Sequence, residues 1–136
     1  TTILLIMTSQ PNEAEYEKLY LVSRLVFNGE IDADKASAKL SGIIGSSDVY
    51  NKVVFKMYAG MRNGRVFHQS GGDEAVLYFL RRIAHDEGVE ALEAALNAVY
   101  GYTGFKGSVG CPMPELEDAC DALKVIHGIS ARENRD

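Results

Sequence analysis

The chain has 136 residues, 46% of them hydrophobic, with 19 acidic and 14 basic side chains, a formal charge of −5, three prolines, two cysteines and no tryptophan. That length buries a real core without a disulfide or metal staple, and the composition excludes a disordered or collagen-like chain and two ordinary domains. The net charge hides an asymmetry: residues 1–49 carry seven acids and four bases, residues 50–85 two acids and six bases, and residues 86–136 ten acids and four bases.

The opening apolar run, residues 3–7 within an N-terminal segment 1–8, is too short for a signal core or a membrane span, and no basic stretch precedes it. It reads as a strand, a docking segment or a partly foreign start. From Glu13 to Asn28 the residues Tyr16, Leu19, Tyr20, Val22, Leu25, Val26 and Phe27 recur at three and four, which predicts a helix capped by Asn12 and released at Gly29. A short helix follows over Ala33 to Leu40 under Asp32, stopping near Gly42, and the glycine- and serine-rich tract 41–47 reads as a connector.

A third helix is expected from Asp48 to Ala59, with Val49, Val53, Phe55, Met57 and Tyr58 apolar and Gly60 as its end. Asn63-Gly64 then signals a tight turn, and Arg65 to His68 reads as an extended loop in preference to a hairpin. The strongest helical pattern, Asp73 to His85, buries Ala75, Val76, Tyr78, Phe79, Leu80 and Ile83, with Ser70 and acids at its start and bases at its end. Val89 to Tyr100 continues as a helix facing inward through Ala91, Leu92, Ala95, Leu96 and Val99. Residues 101–112, with four glycines and a proline, read as the longest irregular stretch; Pro114 opens a last helix to His127, and a polar tail follows over 129–136. Five to six helices without a convincing strand set predict one all-α domain over 1–136, bundle-like or orthogonal.

No arrangement reads as an active site, and no cofactor is implied. His68, His85 and His127 fall on different elements without a second ligand at metal spacing, and the nine-residue separation of Cys111 and Cys120 fits reduced thiols in a cytoplasmic protein. Gly71-Gly72 precedes a helix but lacks the Lys-Ser/Thr of a phosphate loop, and Asp73 and Glu74 would repel a phosphate.

The remaining constellation is basic and aromatic: Lys52, Lys56, Tyr58, Arg62, Asn63, Arg65, Phe67, His68, Gln69, Arg81 and Arg82. Lys52 and Lys56 share a helix face, and a loop carrying Arg, Asn, His and Gln can meet phosphates and base edges. The plainer reading scatters these bases over solvated helix faces, with Arg81 and Arg82 answering a helix dipole.

Within residues 50–102, Phe55-Lys56-Met57-Tyr58-Ala59-Gly60, Gly64-Arg65-Val66-Phe67-His68, Tyr78-Phe79-Leu80-Arg81-Arg82-Ile83, Gly88 and Leu92 to Val99 resemble a small helical module associated with bacterial HNH-type restriction endonucleases that act on modified DNA. The HNH motif itself is absent, and His68-Gln69-Ser70 stands where such modules carry a further basic residue or threonine. The resemblance implies an accessory nucleic-acid-binding role in a restriction or phage-defence setting, without nuclease activity.

The leading expectation is therefore a non-enzymatic module contacting nucleic acid through Lys52, Lys56, Arg62, Arg65, His68, Arg81 and Arg82. The alternative is a small acidic inhibitor, of immunity or anti-defence type, that meets a basic protein through Glu90, Glu93, Glu115, Glu117, Asp118 and Asp121. A homodimer is compatible with either, and neither calls for a membrane.

Overall fold

Helix α1, Glu13–Phe27, begins in a reciprocal capping box. The Asn12 side chain accepts from the Glu15 N–H at 2.9 Å, and the Glu15 carboxylate accepts from the Asn12 N–H at 3.0 Å. Five more helices follow: α2 (Ala33–Ile44), α3 (Asp48–Asn63), α4 (Asp73–Glu87), α5 (Val89–Ser108) and α6 (Pro114–Ile126). This computed structural model describes residues 11–129, among which there is no strand, and the expectations for residues 3–7 and 130–136 lie outside it. The chain is a single all-α domain.

Three helices outrun their expected ends, each through a glycine. α2 passes Gly42 and stops at Gly45, whose φ of 75° supplies the left-handed cap. α3 passes Gly60 and reaches Asn63, so Asn63-Gly64 is a helix end and not a two-residue turn; Gly64, at φ 67°, donates its N–H to the Gly60 and Met61 carbonyls. α5 continues through Gly101, Gly104 and Gly107 to Ser108, where an irregular stretch was expected. An interior glycine costs about 1 kcal/mol against alanine, and burial of Met61 on α3 and of Tyr102 and Thr103 on α5 outweighs that cost. The loop expected over 65–68 is a loop.

α3 packs on α1, α2 and α5, and α5 also receives α4 and α6. Tyr20, Tyr58 and Phe79 meet edge to face at 5.4–6.0 Å in the core, surrounded by Leu19, Met57, Met61, Leu80, Ile83 and Leu92. Two expected core residues are outside: Val49 is 74% exposed and Leu25 is exposed as well. Their positions on α3 and α1 are taken inward by Asn51 and Ser23, which are buried.

Asn51 knits α2 to α3. Its amide donates to the Ser37 carbonyl and hydroxyl at 3.1 Å and to the Ser41 hydroxyl at 3.2 Å, and it accepts from Ser46. Ser37 donates in turn to Asp48 at 2.6 Å. No described helix is long and apolar enough to cross a membrane.

Candidate nucleic-acid interface

The seven bases singled out by sequence divide among acid-bound positions, one cleft and a separate groove. Lys52 is held by Asp34 and, at 3.3 Å, by Asp48. Arg62 donates to the Tyr58 hydroxyl at 2.8 Å, pairs with Glu87 and lies 5.0 Å over the Phe27 ring. Arg82 donates from Nε and Nη2 to Asp86 at 3.1 and 2.9 Å and from Nη1 to the Tyr78 hydroxyl at 2.9 Å. These three are committed to intramolecular acids.

Glu87 is the centre of the contacts around Arg62. Its side chain, 6% exposed, accepts from the hydroxyls of Tyr20 and of Tyr58, the latter at 2.8 Å, beside Arg62 and Arg24. Burial pushes the Tyr58 phenol up to about 12, with the Arg62 bond opposing and the Glu87 bond reinforcing the shift. Tyr58, counted with the candidate surface in the sequence, is instead fully buried. Beside Glu87, hydrogen bonding from His85, opposed by partial burial and reinforced by Arg82, holds the Asp86 carboxyl below its ordinary value.

Lys56, Arg65 and His68 share a cleft of about 690 Å³ whose lining also includes Asn63, Gln69 and Phe105 and contains no acid. Lys56 and Asn63 project from α3 and Phe105 from α5, while the loop between α3 and α4 supplies Arg65, His68 and Gln69. Two close approaches pin that loop. A Cβ on Gly60 would lie 3.0 Å from the Arg65 carbonyl oxygen, and one on Gly101 would lie 2.4 Å from Val66 Cγ2. Phe67 is buried and stacks on Tyr102 at 4.8 Å, which leaves its neighbours in sequence to the outside.

His68 meets Phe105 edge-on at 4.4 Å. The side chains of Lys56 and Arg65 are exposed and make no hydrogen bond or ion pair among the described residues. Phe105, 36% exposed, lies on α5 within the stretch 101–112 for which the sequence predicts irregular structure, so its apolar ring has no helix face to be assigned to there. Read as helix, Gly101 and Phe105 fall one turn apart on one face.

Arg81 lies apart, with Arg82 and His85, in a groove between α1 and α4 that also holds Glu13 and Glu74. The acidic candidates are likewise divided. The short connection 109–113 folds α6 back along α5, and the Tyr100 hydroxyl donates to Asp121. Glu115, Glu117 and Asp118 therefore sit near the C-terminal half of α5, and Glu90 and Glu93 at its opposite end.

Cys111 is exposed and Cys120 buried, both unpaired; burial above all pushes the Cys120 thiol up to about 12 and keeps it protonated and unreactive. No group of three or more His, Cys, Asp and Glu side chains able to hold a metal occurs among the described residues.

Fold and site together define a helical domain with an acid-free, cation-bearing cleft at the junction of α3, α5 and the loop between α3 and α4. Comparison with known proteins gives no match to a family model, a curated protein or a solved structure.

Proposed function

We propose that the chain is a non-enzymatic, cytoplasmic binding module whose Lys56–Arg65–His68 cleft takes the backbone of a nucleic acid, as an accessory in a restriction or phage-defence setting. The observation that carries this reading is the pair of exposed, unneutralised cations facing one acid-free cleft, beside hydrogen-bonding Asn63 and Gln69 and an exposed aromatic ring. The other bases among the seven are neutralised internally or share a groove with acids, so the footprint is small.

Two phosphate contacts give a salt slope of about −1.4 on a single strand or −1.8 on a duplex. Affinity should therefore fall about 7- to 12-fold between ~50 and ~200 mM salt. Fluorescence anisotropy with labelled DNA and RNA measures this, and absence of binding at either salt concentration removes the reading.

A second reading rests on α6, where Asp118, Asp121, Ala122 and Val125 form one exposed stripe and Val125 is 80% exposed. A mixed acidic and apolar stripe suits docking to a basic protein, as an inhibitor would. A stoichiometric partner lost on reversing Asp118 and Asp121 to lysine supports it; a partner that stays bound to that variant counts against it.

A further inference from the structure

We infer that the nucleic acid taken by this cleft is single-stranded, an inference that rests on the nucleic-acid reading above. The cleft is one half of a longer trough. A second cleft, of about 460 Å³, is lined by Val26, Phe27, Ala33, Lys52 and Phe55 together with Lys56, Ala59 and Asn63. The last three also line the first cleft. The two therefore adjoin across the outer face of α3, along which Lys52, Lys56, Ala59 and Asn63 follow at helical spacing. From Lys52 to Asn63 that face is about 16 Å long at 1.5 Å per residue.

The order of chemistry along the trough is apolar pocket, free cation, hydrogen-bonding amide, free cation, aromatic ring. Phe27 and Phe55 stand at one end, Lys56 and Asn63 in the middle, and Arg65 and Phe105 at the other. Neither lining includes an acid; Lys52 at the apolar end is neutralised by Asp34 and Asp48, so the positive potential that suits a polyanion lies at Lys56 and Arg65. A duplex keeps its base faces stacked inside and offers the protein only phosphates and base edges. It could use Lys56 and Arg65 but would have nothing to put into the Phe27–Phe55 pocket or onto Phe105. An unstacked strand has both, a charged backbone for the cations and planar bases for the apolar end and the exposed ring.

Shape argues the same way. Duplex readers insert a protruding helix or ribbon into a groove. Here the loop bearing Arg65 and His68 is drawn down onto α3 and α5 at Gly60 and Gly101, and it forms a wall of a concavity. Two free cations are also a thin footprint for a duplex protein, which typically neutralises about six to ten phosphates. Single-strand sites compensate for a thin footprint by stacking.

The test uses the full chain and two labelled probes, an oligothymidylate of about ten nucleotides, within the span one single-strand fold covers, and a DNA duplex of the same length, read by anisotropy at low salt. The expected result is at least tenfold tighter binding of the single strand. Phe105→Ala should weaken it by at least about fivefold, the lower end of the loss from removing one stacking ring. Lys56→Ala should also weaken it, whereas Arg81→Ala, in the other groove, should not. Far-UV circular dichroism and the melting temperature establish that each variant is folded; Phe105 and Lys56 lie at the surface, and Arg65→Ala replaces either that fails.

Equal or tighter binding of the duplex overturns the single-strand inference and leaves the broader reading standing. Single-strand binding that is indifferent to both Phe105→Ala and Lys56→Ala puts the ligand outside this trough and overturns the inference. No binding of either probe overturns the nucleic-acid reading itself.

Discussion

Replacing Glu87 should be the most damaging single substitution of a charged residue in this fold. Its carboxylate joins three helices, accepting from Tyr20 on α1 and Tyr58 on α3 and pairing with Arg62, while itself ending α4. Glu87→Ala leaves two phenols without their acceptor and a guanidinium, 26% exposed, without its acid. Breaking a buried pair costs about 3–5 kcal/mol, and the water still open to Arg62 brings the expectation to the lower end, about 3 kcal/mol. Glu87→Gln keeps an acceptor for the phenols and loses only the charge assistance, about 1–1.5 kcal/mol. At about 2.1 cal/mol/K per residue, unfolding 136 residues carries about 0.29 kcal/mol/K, so the two variants should melt about 10 °C and 4 °C lower. Thermal unfolding followed by far-UV circular dichroism measures both. A double-mutant cycle with Tyr58→Phe should return a coupling of about 1 kcal/mol or more. A Glu87→Ala protein melting within about 2 °C of the parent, on that same scale, would refute the account of Glu87 as the tie between α1, α3 and α4.

Burial pushes the phenols of Tyr50 and Tyr58 up to about 12, and those of Tyr16, Tyr20 and Tyr100 also upward. Because the folded state then holds protons that the unfolded state releases above pH ~10, these groups contribute stability that is complete below that pH and is lost as pH rises through about 12. Phenolate absorbance at pH 11 should thus fall well short of that of seven ordinary tyrosines and should rise on unfolding in denaturant; full ionisation of the native protein at that pH would sink the idea. Gly101→Ala pushes a Cβ to within 2.4 Å of Val66 Cγ2, which should cost a net ~1 kcal/mol after the helix-propensity gain and lower ligand affinity by displacing the loop that carries Arg65 and His68. A variant that melts higher and binds unchanged would show that the loop yields freely. Asn51→Leu takes the acceptor from the Ser46 hydroxyl and a donor from the Ser37 carbonyl, while the Ser37 and Ser41 hydroxyls keep Asp48 and the Ser46 carbonyl, and should destabilise by about 2 kcal/mol in urea unfolding; a change under ~0.5 kcal/mol, the range of a neutral surface substitution, would contradict that network's role.

The helices were legible because their apolar spacing is strong, most clearly in Ala75, Val76, Phe79, Leu80 and Ile83, all of which are buried. The ends at Gly60 and Gly101 depart from the sequence expectation for one physical reason. A glycine signal is local and worth about 1 kcal/mol, whereas the burial of Met61 or Tyr102 that carries the helix past it depends on partners far along the chain. The same distance hid Glu87. A carboxylate at a helix C-terminus is unfavourable to the dipole and reads as an ordinary solvated acid until Tyr20 and Tyr58, 67 and 29 residues away, are brought to it.

Charge shows most plainly what a linear reading misses. Residues 50–85 carry four more bases than acids, but a segment total treats the segment as its own surroundings. Folding brings Asp34 and Asp48 from the preceding segment onto Lys52, and Asp86 and Glu87 from the following one onto Arg82 and Arg62. Three of the six bases are thereby committed, and the surplus on the surface shrinks to Lys56, Arg65 and Arg81 against Asp73 and Glu74. A pair held inside gains Coulomb energy and geometry but offers little field to a ligand. Under the proposed function, recognition falls to the bases whose acids folding did not supply, and two of these, Lys56 and Arg65, face the same acid-free cleft.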